Sequence, residues 1–392
     1  MTKPQQVAPP LAVALIGSKF MGRAHSNAWS QVGRFFDLPR AVAMRAVAAR
    51  DGRALRAFAE RWGWQRATDD WRELAADPEL ELVDVATPND AHADQAIAML
   101  EAGKHVACEK PLAATLDDAR AMKQAAAHAR RRARTFVWFN YRRCPAVAFA
   151  WKLMREGRIG RVFHVRATYL QSWGGPDTPL SWRFRKGSAG SGAHGDLNAH
   201  LVDLARFLLG EEIVEVHGAV APTFVRERTV PGPGHKGRKA RSTVDDAALF
   251  LATFKSGAVA SFEASRVAAP HQNANSIEID GERGSLRFDF EDMNLLHFHD
   301  ANDAAGEGGW RRIMCTTAGR HPYVANWWPA AHVLGYEHGF VNMAADVVRA
   351  LCGEQPEVPL PDFADAYQTQ RVLEAALVSA HERCAVRLSE VQ

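Results

Sequence analysis

Two short segments of the chain carry side chains suited to acid–base chemistry. In the first, Glu109-Lys110-Pro111 directly follows the apolar run 105–108. In the second, Asp196 and His200 stand four residues apart in a segment that reads as an amphipathic helix, which would place both on one helix face. A partly desolvated lysine can hold and polarise a hydroxyl, and a histidine near its reference pKa can remove a proton near neutral pH. These residue types therefore suit proton abstraction from a hydroxyl that Lys110 holds.

Structural interpretations compete with the catalytic one at both segments. A Glu-Lys-Pro sequence is also typical of a solvated strand-to-helix turn. Asp196 would equally serve as a helix N-cap, and His200 as a buried histidine with satisfied hydrogen bonds. His194 with Asp196 and His200 would offer three metal ligands, but no further ligands have convincing spacing. We therefore predict no metal site.

The elements that must position the first segment follow from the pattern of the N-terminal part. Apolar strands alternate with helical stretches from Leu11 to Phe139. That alternation is typical of a doubly wound parallel sheet, in which ligands bind outside the carboxyl ends of the strands. Glu109 and Lys110 follow such a strand. We predict an α/β protein whose residues 1–140 form a dinucleotide-binding Rossmann domain.

The turn after the first strand supports a dinucleotide site. Gly17 and Gly22 flank it between strand and helix, which is the context of a dinucleotide fingerprint, although Lys19 replaces the middle glycine. A P-loop is excluded, because Arg23-Ala24 stands where Lys and then Ser or Thr are required. At the end of the second strand, Ala49 replaces the usual ribose-binding acid and Arg50 follows. This favours NADP over NAD, unless Arg50 only lies in a solvated loop.

From Pro145 the pattern changes to consecutive strands with short turns. It predicts that residues 141–392 form an α+β domain with an open, mostly antiparallel sheet, which binds substrate. Because such a sheet can pair with another copy, we expect a homodimer or homotetramer through the C-terminal sheet. The segment Arg226 to Arg241 is rich in Gly, Pro and basic residues. It predicts a mobile surface loop, with anion binding as the alternative.

Composition excludes several classes of protein. A chain of 392 residues with 47% hydrophobic and 24% charged residues suits a globular protein of two domains. A net charge of +3 gives no reason to expect nucleic acid or a membrane as partner. Five scattered cysteines without Cys-x-x-Cys spacing favour a reducing compartment. The polar segment Met1–Pro10 does not read as a signal peptide, so we expect a cytoplasmic protein.

Three motifs together resemble the Gfo/Idh/MocA oxidoreductases, named for glucose-fructose oxidoreductase and inositol dehydrogenase. They are Ala86-Thr87-Pro88-Asn89 with His92, the run from Gly103 to Leu112, and Gly195-Asp196 with His200 and Asp203. The resemblance extends from Val13 to about Gln370. It implies a Rossmann domain followed by an open-sheet α/β domain, and oxidation or reduction of sugars, inositols and related polyols with NAD or NADP. Inositol-dehydrogenase-like and levoglucosan-dehydrogenase-like members look most similar, through residues 139–147, 168–171, 179–184 and 190–192.

The residues and the resemblance together predict three groups of site residues. The catalytic group is Lys110, Asp196 and His200: His200 takes the hydroxyl proton as hydride leaves the same carbon, Lys110 stabilises the alkoxide, and Asp196 orients a neighbouring hydroxyl. The cofactor-binding group is Gly17, Ser18, Lys19, Phe20, Met21, Arg50, Thr87, Pro88, Asn89, His92, Glu109 and Lys110. The substrate-binding group is Lys110, Tyr141, Arg142, Gln171, Trp182, Arg183, Asp196, His200, His332 and Tyr336.

The predicted function is an NAD(P)-dependent dehydrogenase that oxidises a ring hydroxyl of a sugar, anhydrosugar or inositol-type polyol. Two alternatives stay open. One is a sugar-modifying enzyme that keeps and recycles a tightly bound NAD(P). The other is a dinucleotide-binding regulator without turnover, although such a protein would not need Lys110, Asp196 and His200 together.

Overall fold

The structure is a computed structural model that describes residues 8–232, 234, 237–319 and 321–391. The first seven residues of the polar N-terminal segment, and the expectation placed on them, lie outside that range. Within it, no helix is both long and apolar enough to cross a bilayer.

The N-terminal part is a parallel sheet between two layers of helices. Its strands are β1 (Leu11–Ile16), β2 (Val42–Ala48), β3 (Arg66–Thr68), β4 (Leu82–Val85), β5 (His105–Cys108) and β6 (Thr135–Val137). Its helices are α1 (Phe20–Phe35), α2 (Gly52–Trp62), α3 (Arg72–Ala76), α4 (His92–Glu101) and α5 (Leu116–Ala129). The strand order is β3-β2-β1-β4-β5-β6, and all pairs are parallel. The predicted doubly wound sheet is confirmed, and its order reverses between β1 and β4, where ligands bind in such folds.

The C-terminal part is built on a larger sheet. Its strands are β7 (Val162–Leu170), β8 (Ile213–Val220), β11 (Ala247–Phe254), β12 (Val259–Ser265), β13 (Ala274–Gly281), β14 (Gly284–Asp289), β15 (Leu295–Asp300), β16 (Arg311–Met314) and β17 (Val386–Arg387). They lie in the order β16-β15-β14-β13-β7-β12-β11-β8-β17. Only β7 and β12 pair in parallel among these described strands. The predicted open, mostly antiparallel sheet is confirmed.

Helices α6 (Pro145–Arg155), α8 (Ala199–Leu209) and α10 (Phe363–Glu382) cover one face of the larger sheet and leave the other open. The other two helices of this part are α7 (Lys186–Ala189) and α9 (Tyr336–Leu351). On the open face, Val220, Leu249, Leu251 and Val259 are exposed. Helix α9 also packs against α1, and α10 against α5, so both parts of the chain share one continuous hydrophobic core. The predicted boundary between residues 140 and 141 stays a prediction.

The described part of the segment Arg226 to Arg241 forms a hairpin. It consists of β9 (Glu227–Thr229) and β10 (Lys239–Arg241), which pair antiparallel. Arg228 of this hairpin is completely buried. The prediction of a mobile surface loop is therefore wrong for these residues, because the side chain of Arg228 is held by partners distant in sequence.

Gly17 occupies a position that a side chain cannot share. Its φ is +122°, and a Cβ atom there would lie 2.4 Å from the carbonyl oxygen of Ala86 at the end of β4. The turn after β1 thus lies directly against the neighbouring strand, which is what the fingerprint predicted.

We expect Gly17→Ala to lower the affinity for the predicted dinucleotide, NAD(P)H, by about tenfold or more and to lower the melting temperature, since the turn must move away from β4. Fluorescence titration with NADH and with NADPH, together with thermal unfolding, measures the two effects.

Gly33→Ala is the matched control, because Gly33 is an exposed residue of α1 with nothing within 4 Å of its would-be Cβ. That control should retain dinucleotide affinity and gain about 0.5–1 kcal/mol of stability. Unchanged dinucleotide binding in Gly17→Ala would contradict the assignment of the turn.

Candidate active site

The side chain of Lys110 joins the segment after β5 to the segment that carries Asp196. It follows β5 at the carboxyl edge of the parallel sheet, and its side chain is mostly buried. The Lys110 Nζ donates hydrogen bonds to Asp196 Oδ1 at 2.8 Å and to the backbone carbonyl of Asp196 at 2.9 Å. The structure therefore brings together the two segments that the sequence singled out, and the interpretation of Glu109-Lys110-Pro111 as a merely solvated turn is wrong.

Asp196 is held between two cations. Its other carboxylate oxygen, Oδ2, accepts a hydrogen bond from the Arg266 guanidinium at 2.8 Å. Burial by itself would raise the pKa of Asp196, but the charges of Lys110 and Arg266 outweigh burial and hold this pKa well below its ordinary value. Asp196 therefore stays ionised and suits orientation of a hydroxyl rather than proton abstraction.

The helix that carries Asp196 and His200 is not regular. Residues 194–198 form a π-helical turn, and only from Ala199 does α8 follow α-helical geometry. The segment is therefore not one regular α-helix, but the charge of Asp196 still acts on His200. Crowding accompanies this turn: a Cβ on Gly192 would lie 1.7 Å from the carbonyl oxygen of Asp245. Single π-helical turns inside helices are often found at functional sites.

His200 has the environment of a neutral base. It is buried, and its ring lies 4.4 Å from the ring centroid of Tyr141 and 5.9 Å from that of Tyr169. Burial, followed by the charge of Lys110, holds the pKa of His200 well below its ordinary value, and Asp196 offsets this only in part. The imidazole is therefore unprotonated near neutral pH and can accept a proton.

His194 points away from this group. Its Nε2 lies 2.8 Å from the carbonyl oxygen of Leu373, and its Nδ1 lies 3.0 Å from the Asn198 amide. Both ring nitrogens are thus engaged elsewhere. The alternative of a metal site formed by His194 with Asp196 and His200 is not realised in this geometry.

A buried network that the sequence reasoning missed supports Glu109. The His25 ring lies between two carboxylates, with Nδ1 2.9 Å from Asp84 Oδ2 and Nε2 2.9 Å from Glu109 Oε1. Trp29 and Trp138 also donate to Asp84. Glu109 Oε2 in turn accepts from the backbone N–H of Lys110 at 3.0 Å. One feature of the sequence indicates this network: Asp84 is a charged residue inside an otherwise apolar strand, and a buried charge needs partners.

This network predicts how the stability of the fold depends on pH. Burial lowers the pKa of His25, but Asp84 and Glu109 outweigh it and raise this pKa from 6.5 to about 9. Because the folded-state pKa is raised, the stabilisation is complete below pH 6.5 and is lost as pH rises to about 9. We expect this contribution to unfolding free energy to fall by roughly 3 kcal/mol over that interval.

Urea unfolding at pH 6.5 and pH 9 measures the change. His25→Gln has no titrating imidazole and should lose this part of the pH dependence, whereas the exposed His381→Gln should keep it. An equal pH dependence in the wild type and in His25→Gln would contradict the assignment.

The predicted cofactor-binding residues after β4 hold one another in place. The buried His92 bridges two loops, with Nε2 3.0 Å from the Thr87 carbonyl and Nδ1 3.2 Å from the Pro111 carbonyl. Asn89 donates to the Ala189 carbonyl at 3.0 Å. Pro88 lies between them in extended conformation. These contacts align the loop after β4 with the loop after β5, and direct contact of these residues with a dinucleotide stays a prediction.

The turn between β1 and α1 fits a dinucleotide pyrophosphate. Among the described residues, no side chain caps the first turn of α1 and no acidic residue lies in it, so its N–H groups are available to an anion. Ser18 and Met21 are partly buried, whereas Lys19 and Phe20 are exposed, and the Phe20 ring stacks 6.2 Å from that of Tyr336. Arg50 is exposed after β2, where a ribose would lie.

Most of the remaining predicted substrate residues lie around Asp196 and His200, whereas His332 lies in an exposed loop. Near Asp196 and His200 lie Tyr141, whose hydroxyl is 2.7 Å from that of Tyr169, and Tyr336, which packs edge-on against Phe290. Gln171 donates to Asn273 at 2.7 Å. Trp182 packs on the Arg183 guanidinium, and the charge of Arg183 helps to lower the pKa of Asp196. His332 instead is exposed and contacts the Pro329 carbonyl of its own loop.

Arg142 requires a correction. Its guanidinium is buried and donates to Asp203 and to Asp365, at 2.9 Å and 2.6 Å for the bonds from Nε and Nη2. These ion pairs occupy the side chain, since a buried arginine must be paired. The structure therefore places Arg142 in an ion-pair network between α8 and α10, not in the substrate pocket.

Comparison with known proteins agrees with this geometry. Residues 11–136 match the family model of the oxidoreductase family with NAD-binding Rossmann fold, and residues 147–287 match the GFO/IDH/MocA C-terminal domain. Levoglucosan dehydrogenase of Pseudarthrobacter phenanthrenivorans is 40% identical over 97% of this chain and 99% of its own. An oxidoreductase domain protein from Kribbella flavida is 51% identical, with a TM-score of 0.92 over 97% of this chain and 100% of that one.

The dinucleotide in a related structure bears on the cofactor. A levoglucosan dehydrogenase solved with NADH and L-sorbose is 40% identical, with a TM-score of 0.90 over 97% of this chain and 99% of that one. The relatives thus confirm the predicted resemblance and the NAD-binding fold. They give no support to the predicted preference for NADP.

Proposed function

The chain belongs to the Gfo/Idh/MocA family of oxidoreductases, and from that premise we propose that it oxidises a ring hydroxyl of a sugar, anhydrosugar or inositol-type polyol. One observation carries the proposal. Lys110, Asp196 and His200 converge at the carboxyl edge of a dinucleotide-binding sheet, with Asp196 and Lys110 2.8 Å apart. A regulator without turnover would not need a cation, an ionised carboxylate and a neutral base in one place.

In the mechanism we propose, each of the three residues has a separate task. The neutral His200 accepts the hydroxyl proton. Lys110 stabilises the negative charge that develops on the oxygen, and Asp196 holds Lys110 and a neighbouring hydroxyl in position. Bound NAD supplies the hydride acceptor. Gly17 to Met21 would hold its pyrophosphate, and residues 87–92 and 109–110 would lie beside its nicotinamide.

We propose NAD, rather than NADP, as the cofactor, because a relative covering nearly the whole chain was solved with NADH. The proposal is tested by following absorbance at 340 nm with either dinucleotide and a panel of levoglucosan, aldoses and inositols. Reduction of NAD with one sugar would support it. Faster reduction of NADP would overturn the cofactor assignment. Copurified dinucleotide without net NADH formation would favour the alternative with a recycled cofactor.

We also infer that a second copy of the chain covers the open face of the larger sheet. That face combines exposed Leu249, Leu251 and Val259 with Arg166, which pairs with Glu278 and Asp280 at the same surface. The charges on this face are paired within the chain, so the exposed apolar residues are what a second copy would cover, by placing the same face against it across a two-fold axis. Leu251→Glu should therefore produce monomers in light scattering, whereas a monomeric wild type would contradict the inference.

A further inference from the structure

A small apolar cluster stands apart from the main core. Its buried members and their neighbours are Leu180, Phe184, Val244, Val230 and Ala240. They come from residues 173–184, from the β9–β10 hairpin and from the segment before β11. We call residues 173–184 the wall segment. The wall segment packs in this small cluster and not in the main core. Its position relative to the candidate active site therefore depends on the polar contacts that join it to the rest of the molecule.

Arg266 joins the wall segment to the candidate active site. One guanidinium nitrogen donates to Asp196, and the other donates to the Arg183 carbonyl at 3.1 Å. The same guanidinium lies 5.1 Å from the ring centroid of Trp173. A Cβ on Gly174 would lie 2.8 Å from the Cβ of Arg266, so backbone and arginine are in close contact. Arg183 therefore acts on the carboxylate of Asp196, and Trp173 lies beside the arginine that binds this carboxylate.

Arg228 holds the other side of the wall segment. Its guanidinium donates to the carbonyls of Gly174 at 2.8 Å, Gly175 at 2.9 Å and Thr178 at 3.4 Å. It also pairs with Asp246 at 2.9 Å and lies 3.7 Å from the centroid of the Phe184 ring. One side chain thus fixes three carbonyls and one ring of the same segment, which requires the planar, forked donor set of arginine.

A role in stability alone does not explain this arrangement. A buried ion pair costs desolvation, and a hydrophobic pair of similar volume would often serve stability as well. Here both Arg228 and Asp246 have completely buried side chains. The guanidinium bonds mainly to backbone carbonyls of the wall segment, which determines where that backbone lies.

We propose that Arg228 is a positioning residue for substrate selection: it fixes the wall segment, and with it Trp173 and Arg183, beside Asp196. The inference rests on the proposed function, because it names the part of the chain that decides which sugar the site accepts. Arg228 itself lies behind the wall segment and acts through it.

The test compares Arg228→Met with Arg228→Lys and with the double variant Arg228→Met/Asp246→Asn, which leaves no unpaired buried charge. Arg241→Met is the control, since it removes an exposed arginine from the same hairpin. The dissociation constants of levoglucosan and L-sorbose are measured by tryptophan fluorescence with NADH bound, so that no turnover is needed. Hydrogen exchange reports on the wall segment, where Leu180 N–H donates to the Thr229 carbonyl and Gly174 N–H to that of Arg266.

In Arg228→Met and in the double variant, we expect the dissociation constant of the better sugar to rise about tenfold. The dissociation constant of the other sugar divided by that of the better sugar should fall about fivefold. NADH affinity and kcat should change by less than about threefold, and wall-segment amides should exchange faster. Arg228→Lys should recover part of the sugar affinity, and Arg241→Met should match the wild type.

Either of two results would overturn the inference. One is unchanged sugar affinity and selectivity in the double variant, even if exchange accelerates. The other is an equal loss of affinity for both sugars and NADH. A wild type that binds these sugars without reducing NAD would refute the proposed dehydrogenase, while the sugar dissociation constants would still decide the role of Arg228. A wild type that binds neither these two sugars nor any aldose or inositol of the panel would overturn both.

Discussion

Replacing Lys110 by methionine should lower kcat/KM for the sugar by about 10³-fold and lower NADH affinity by less than about tenfold, because the rest of the proposed dinucleotide site is kept. Methionine keeps the length of the apolar stem and removes the cation. The developing alkoxide then loses the positive charge that the proposed mechanism assigns to it, and Asp196 keeps its hydrogen bond from Arg266.

Steady-state kinetics at 340 nm and an NADH titration measure these effects. Lys255→Met is the matched control, because Lys255 is exposed in the turn between β11 and β12. That variant should behave as the wild type. Lys110→Met with more than about a tenth of wild-type kcat/KM would remove Lys110 from the chemistry.

Replacing His200 by glutamine should lower kcat by about 10²- to 10⁴-fold, because the variant lacks the imidazole that the proposed mechanism uses to take the hydroxyl proton. Asp196 cannot substitute, since its neighbouring cations keep its pKa well below the ordinary value. The exposed His381→Gln should leave kcat unchanged. If His200→Gln were as active as this control, His200 would be a structural histidine and the base would lie elsewhere.

The pH profile gives a second test of the same assignment. Because burial and the Lys110 charge lower the pKa of His200, the base stays unprotonated as pH falls through 6.5. The wild-type kcat/KM should therefore not fall at that pH through protonation of His200. In Lys110→Met the lowering charge is gone, so the acid limb of the residual activity should move to higher pH. If the acid limb of the pH profile did not move, the charge of Lys110 would not affect the pKa of His200.

The parts of the fold that local pattern determines were predictable. Strand and helix alternate from Leu11 to Phe139 with clear hydrophobic periods, and the glycine at position 17 marks a turn that only glycine can occupy. The convergence of Lys110 on Asp196 did not follow from periodicity. It was reached because both segments have motif-like composition, and the resemblance connected them.

The features that the sequence did not predict depend on contacts between residues distant in sequence. Arg142 follows a tyrosine in a motif, but its partners Asp203 and Asp365 lie 61 and 223 residues away. Arg228 sits among glycines and prolines, which suggested a loop, and only the carbonyls of the wall segment explain its burial. The π-helical turn at residues 194–198 likewise follows a close approach of Gly192 to Asp245, 53 residues further along the chain, which helix propensity does not encode.

The packing of α10 against α5 affects the order in which the chain can fold during synthesis. The Val137 N–H at the edge strand β6 donates to the carbonyl of Pro361, and Thr135 accepts from the N–H of Phe363. The outer strand of the dinucleotide sheet is therefore completed by residues that are synthesised much later, 228 positions further along the chain for the bond between Thr135 and Phe363. We expect nascent chains ending near residue 340 to keep this edge open to chaperones and proteases. Protection from a protease should appear only in arrested chains whose emerged part includes α10.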